Sequence, residues 1–232
     1  MNLSTYFKVS SHKFNSAMIA LIMLMLYEVF IIWEPGSGQM IRNAPEAWLR
    51  TILYYLGISP YYITFALITF SLISIGLFYR PNIGNQPKIF LLMMVEVVFL
   101  GAISGFVIQL MMYKLFFSTT SLTGSLIGDM GLAIGAGLFE ELLFRVFITS
   151  FLIWVLTRLV KIKWLAVVLS IIIASFLFSI SHYMGNASDQ FEIYSFAFRF
   201  FAGVWFTALF SVRGFGIVSL THAFYDIFVI LL

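Results

Sequence analysis

Long apolar runs dominate the chain, near residues 14–33, 61–79, 89–113, 131–157, 164–183, 194–212 and 214–232. A helix needs about 20 such residues to cross a hydrocarbon core, so each run predicts a spanning helix. Between the first two lies EPGSGQMIRNAPEAWLRTILYYLG, which is too short in apolar residues to cross. Its Trp48, Leu49, Ile52, Leu53 and Tyr54 form an amphipathic pattern and predict a short helix lying in the membrane interface. Turn signals stand at Pro35–Gly38, Arg80–Pro87 and Gly185–Ser188. No internal repeat or domain boundary interrupts the pattern. The expected fold is therefore all-α: one integral membrane domain over 1–232, a polytopic bundle of about seven spanning helices plus the interfacial one.

Composition agrees and narrows the class. The chain of 232 residues is 62% hydrophobic and 10% charged, with a mean hydropathy of +1.03. Soluble domains carry about 25% charged residues, so this chain could not cover a surface in water. Its 27 Phe and 11 Tyr suit lipid-facing and interfacial positions. No basic cluster accompanies them, which argues against a nucleic-acid partner. Cysteine is absent, excluding disulfides and thiolate chemistry. The first apolar run lacks a small-residue cleavage site and is expected to remain as a span.

Charge between the runs sets orientation. Alternating sides from the N-terminus, one side receives Lys8, Lys13, Arg80, Lys88, Arg158, Lys161, Lys163 and Arg213, and no acid. The other receives Arg42, Arg50 and Lys114 with Glu34, Glu46, Asp129, Asp189 and Glu192. The positive-inside bias predicts a cytoplasmic N-terminus in a plasma (prokaryotic inner) membrane. An odd number of spans then puts the C-terminus outside.

Charges inside the bilayer are rare, because each costs about 2.5–3.5 kcal/mol at a helix centre, and they mark function by default. The fourth run holds Glu140, Glu141 and Arg145, the fifth ends in His182, and the seventh holds His222 and Asp226. Glu141 and Arg145 stand four apart, in the favourable order for an ion pair that fixes packing. At 3.6 residues per turn Glu140 sits about 100° round the helix, free of that arginine and able to take and return a proton. His222 and Asp226 share a face, as do Phe178 and His182. A carboxylate beside an imidazole fixes its tautomer or stabilises its charged form. Each histidine alone reads as a packing residue, but the two together with an unpaired Glu, three burials in all, read as a site.

The three clusters, EELLFR at 140–145, FSISH at 178–182 and HAFYD at 222–226, resemble the EExxxR, FxxxH and Hxxx(N/D) motifs of a known family. It is the CAAX prenyl-protease and bacteriocin-processing (CPBP, or Abi) family of intramembrane endopeptidases. The resemblance covers about residues 125–230, the expected catalytic core. It implies that Glu140, with His182, activates a water that attacks the scissile carbonyl. It implies that His222, oriented by or acting with Asp226, stabilises the oxyanion. Glu141, Arg145 and Phe178 would support these groups. Asp226 departs from the Asn of many members, and an Asp donates only when protonated. The family has also been described as metalloproteases, and one Glu with two His could bind zinc. HExxH is missing, so no cofactor is expected, with zinc as the alternative.

The implied partner is a membrane-anchored protein or exported peptide. If the fourth span starts outside near Gly131, Glu140 lies about 14 Å deep, so the site is expected to open toward the outer half of the bilayer. Removal of a C-terminal membrane anchor fits that placement better than cleavage of a cytosolic prenylated tail. A proton-coupled transporter is disfavoured by the lack of repeats, and a non-catalytic immunity or scaffold protein is the remaining rival. Four weaker features stay open. Gly101/Gly105 and Gly131/Gly135 suggest close helix packing, Glu28 and Glu96 have no assigned role, Arg199 reads as snorkelling or as a substrate-carboxylate ligand, and Asn186–Ser188 matches a sequon. A reporter fused to the C-terminus is expected to be extracytoplasmic; a cytoplasmic signal would overturn the outward-facing site.

Overall fold

In hydrocarbon an unpaired peptide group costs several kcal/mol, and a helix pairs its groups within one segment. The apolar runs obey that rule. The computed structural model describes residues 2–34, 41–80, 87–111, 125–184 and 190–231, and among these every regular element is helical. Short α1 (Leu3–Ser10) precedes α2 (Lys13–Trp33), and α3 (Ala44–Tyr55) is the predicted interfacial helix. Then follow α4 (Tyr61–Phe78), α5 (Pro87–Met111) and α6 (Leu126–Gly135). The last runs without a break into a π-helical segment (Ala136–Thr149) and α7 (Ser150–Leu159). Two more, α8 (Lys163–Ser181) and α9 (Ile193–Leu231), complete the chain. The predicted turns at 35–38 and 185–188, most of 80–87, Lys114, Asp189 and the sequon lie outside the described residues.

Six of these stretches are long and apolar enough to cross a membrane. The sixth, α9, is a hairpin of two arms rather than one rod. Gly214 breaks it at φ 74°, ψ 178°, a conformation essentially confined to glycine. The rings of Phe206 and His222 stack with centroids 4.5 Å apart, whereas a straight helix would separate them by about 24 Å. The arms, 193–213 and 215–231, match the expected sixth and seventh spans. The hairpin packs on α5, α8 and the π segment, and α2 packs on α6, α4 and α9.

The buried core follows these contacts. Ile19, Met23, Tyr27 and Ile31 of α2 meet Met93 and Val97 of α5, Leu138 and Phe139 of the π segment, and Ile217 of α9. Between apolar helices in lipid, close packing replaces the hydrophobic drive. Small residues permit it: a methyl on Gly101 would stand 3.1 Å from the Phe224 Cβ, and one on Gly131 3.0 Å from the Phe30 Cβ. The packing reading of those glycines holds. Large side chains such as Phe65, Phe70, Phe99 and Trp164 face outward, where lipid would meet them.

Both acids left without a role are salt-bridged. Glu96 binds Arg213 (Oε1 to Nε 2.6 Å) and accepts a hydrogen bond from Tyr6, and Arg213 also donates to Ser10 at 2.8 Å. Arg213, read from sequence as a loop charge, is buried at 3% exposure. It ties α1, α5 and the hairpin turn together. Asp129, also assigned to a loop, is buried within α6. The remaining basic residues of the N-terminal side keep their bias. Glu28 binds Arg42 and Arg50 at 3.1 and 3.4 Å, and fully buried Glu46 binds the same pair at 2.7 and 2.5 Å. Burial works against the charge of Arg42, but the Glu28 hydrogen bond and the Glu46 and Glu28 charges outweigh it and raise its pKa. These pairs seat α3 on α2 while Ile52, Tyr54 and Tyr55 stay exposed.

A Cβ at Gly214 has room, its nearest neighbour being the Ser11 carbonyl oxygen at 3.6 Å. The cost of Gly214→Val is therefore backbone strain, about 1–3 kcal/mol. Unfolding in detergent is expected to show that loss; an unchanged midpoint would contradict the hairpin.

Candidate active site

The EELLFR cluster sits in the π-helical segment, not in an α-helix. Thr149 Oγ donates to the Phe144 carbonyl at 2.7 Å and Ser150 Oγ to that of Arg145 at 3.3 Å, each five residues back. The 3.6-residue spacing used on the sequence does not apply to this wider coil, a form that recurs at functional sites. Glu141 and Arg145 still meet, with Nη1 3.1 Å from Oε1.

Gly137 controls how near this segment comes to the second arm of α9. A methyl there would run into the Ser219 carbonyl and stand 2.8 Å from the Ala223 Cβ. The bare backbone lets the two helices touch, and one turn on Glu141 Oε1 reaches His222 Nδ1 at 2.7 Å. The same oxygen thus binds both Arg145 and His222. Asp226 Oδ2 is farther, 3.6 Å from His222 Nε2. The sequence assigned the orienting of His222 to Asp226 and gave Glu141 to Arg145 alone. The geometry makes Glu141 the nearer partner of the imidazole and leaves Asp226 more open, with 28% of its side chain exposed.

Phe178 holds the cluster together. Its ring lies edge-on to His182 at 5.0 Å and to His222 at 6.4 Å, and the Arg145 guanidinium rests over it at 4.6 Å. Arg145 is 1% exposed, so its charge is met by Glu141 and by ring faces, which attract cations. His182 caps the end of α8, its Nδ1 3.0 Å from the Phe178 carbonyl oxygen. Glu140 is buried at 8% exposure; His182, His222 and Arg145 are the charged groups acting on it. All seven residues singled out by sequence converge at one place.

Two neighbours were missed. Phe206 stacks on His222, and nothing in the sequence separates it from 26 other phenylalanines. Asn43 Nδ2 donates to Glu140 Oε1 at 3.3 Å from the residue just before α3. Its place before Ala44 and Pro45 marks a helix cap, not a site.

Zinc with three protein ligands needs a converging donor set. Among the described residues no three His, Asp or Glu side chains form one. The residues do not fit that metal site, and no chemical step is assigned to a metal.

Residues 124–228 match the family described as type II CAAX prenyl endopeptidase Rce1-like. Over this segment the chain is similar to the Rce1-like CAAX protease family. That similarity supports a membrane peptidase, a hydrolase of peptide bonds with a protein substrate in or near the bilayer. The Rce1-like segment contains the π segment, α8 and all but the last three residues of α9, hence all seven motif residues; Asn43 lies before it. Neither a curated protein nor a solved structure matches the chain.

The two adjacent glutamates of this Rce1-like site differ in what they hold. Glu141→Gln breaks a buried ionic cluster and is expected to cost about 3–5 kcal/mol. Glu140→Gln, which disturbs one long hydrogen bond, is expected to cost about 1 kcal/mol. Unfolding of both variants in detergent measures this, and equal losses would contradict the division.

Proposed function

We propose that the protein is an intramembrane endopeptidase of glutamic type that cleaves a membrane-anchored protein or an exported peptide. The observation that carries the reading is the contrast between the two acids: Glu141 is locked to Arg145 and His222, while Glu140, beside both histidines, accepts one amide hydrogen bond among the described residues. Glu140 takes a proton from water, with His182 helping to orient that water, and the water oxygen bonds to the scissile carbonyl carbon. His222, as imidazolium, donates Nδ1–H to Glu141 and offers Nε2–H to the developing oxyanion, with Asp226 beside it. The proton on Glu140 passes to the leaving amine, the C–N bond breaks, and the new carboxylic acid gives its remaining proton to the amine, leaving a carboxylate and an ammonium. Hydrolysis of this kind draws only on water and the chain's own side chains.

Placement supports a substrate class and a side. Glu140 bonds to the residue that opens α3, so the site belongs to the half of the bundle that carries the interfacial helix. Loop charge supports an outward position for that half. Removal of a C-terminal anchor, or trimming of an exported peptide, suits an outward site. The family description favours a second reading, a prenylated CAAX tail, which needs the same half to face the cytoplasm.

General base catalysis contributes about 10²–10⁴-fold. Glu140→Gln and His222→Ala, each inserted and folded, are therefore expected to lose cleavage by at least about 100-fold and to accumulate an uncleaved membrane substrate. A chelator is expected to leave wild-type cleavage unchanged. Normal processing in both variants would end the protease reading, and chelator-sensitive cleavage by folded protein would replace the glutamic mechanism with a metal-dependent one.

A further inference from the structure

Asn43 lies outside the motif-bearing segment, yet it is fixed from three directions. Its backbone N–H donates to the Tyr27 hydroxyl at 3.1 Å, and that hydroxyl donates to Glu46 at 2.5 Å. Its Cβ would stand 3.2 Å from a methyl on Gly135, so α6 packs directly beneath it. Its Nδ2 reaches Glu140. The residue occupies the N-cap of α3, where a side-chain oxygen ordinarily accepts a hydrogen bond from the first turn, yet this side chain makes no capping bond. Its Oδ1 is buried and has no hydrogen-bond partner among the described residues. A buried amide that forgoes its local partner and leaves its oxygen unsatisfied bears a cost of about 1–3 kcal/mol. The bond to Glu140 is the one side-chain interaction that accounts for the arrangement. It also fixes which way the amide points, since the reverse orientation would face oxygen to oxygen.

We infer that Asn43 is a positioning residue for Glu140, holding one carboxylate oxygen so that the other is aimed at the histidines. The inference rests on the proposed role of Glu140 and adds a part supplied by α3. Its support runs outward: Asn43 hangs from Tyr27, Tyr27 from Glu46, and Glu46 from Arg42 and Arg50. The interfacial helix is thereby a wall of the site as well as a surface element. A donor to an ionised carboxylate also stabilises that ionised form.

The test needs no substrate. N,N′-dicyclohexylcarbodiimide adds to protonated carboxyls in apolar surroundings, and mass spectrometry of the full chain in detergent reports the modified residue. Asn43→Ala and Asn43→Leu, the second keeping the side-chain bulk, are expected to raise the labelling rate of Glu140 near neutral pH by about tenfold, one unit of protonation equilibrium. Asn43→Asp keeps the shape, adds a like charge and is expected to raise it further. A residue that merely fills space would leave Asn43→Leu at the wild-type rate, and that result overturns the inference. The outcome is separable from the protease reading. Altered labelling in a chain that cleaves nothing would keep the Asn43–Glu140 coupling and remove the catalytic role, whereas unaltered labelling would leave Glu140 as base and remove Asn43.

Discussion

A charge in a membrane interior is tolerated when another charge and good geometry answer it, and the Glu141 carboxylate is where this chain meets that demand. One oxygen binds Arg145 from its own helix and His222 from the second arm of α9. Removing a single member of such a cluster leaves an uncompensated buried charge, which costs far more than the intact pair contributes. The cluster therefore selects one arrangement of helices. It sets the depth of His222 against the π segment, puts Phe178 beneath both imidazoles and leaves the neighbouring Glu140 outside the ionic knot.

Two backbone features make the cluster reachable. The π-helical stretch widens the coil that bears both acids, and Gly137 removes the side chain that would keep it from Ser219 and Ala223. Gly214 turns α9 back so that His222 faces Phe206 and the π segment. Away from the site, Arg213 with Glu96 and Arg42 and Arg50 with Glu28 and Glu46 staple the two ends of the bundle. The chain thus uses several of its buried charges for helix registration. Glu140 and Asp226 are the acids at the site least committed to a guanidinium.

Much of this was legible in the residues. Hydrophobic run length placed the spans, because lipid leaves backbone no choice but the helix. The two arms at 193–231 were visible as two runs, 194–212 and 214–232, parted at Arg213, but the break at Gly214 was not. The site residues were legible because acids and histidines are conspicuous in a chain this apolar. Partners were harder to read. Arg213 and Asp129 looked like loop charges, since sequence does not reveal which neighbours bury them. The pairing of Glu141 with His222 was hidden by its 81-residue separation and by a π coil that helical periodicity does not predict. Asn43 was invisible for a related reason: a cap residue before a proline already has an explanation.

The central physical claim is that Glu141 serves His222, so that Glu140 is left to act. A double-mutant cycle in detergent tests it most directly, using Glu141→Gln, His222→Gln and the double variant. Residues sharing one ionic network couple by about 0.5–3 kcal/mol, and the account predicts a value in the upper part of that range. Additive losses, equal within about 0.3–0.5 kcal/mol, would show that the two side chains do not depend on each other and would contradict the account.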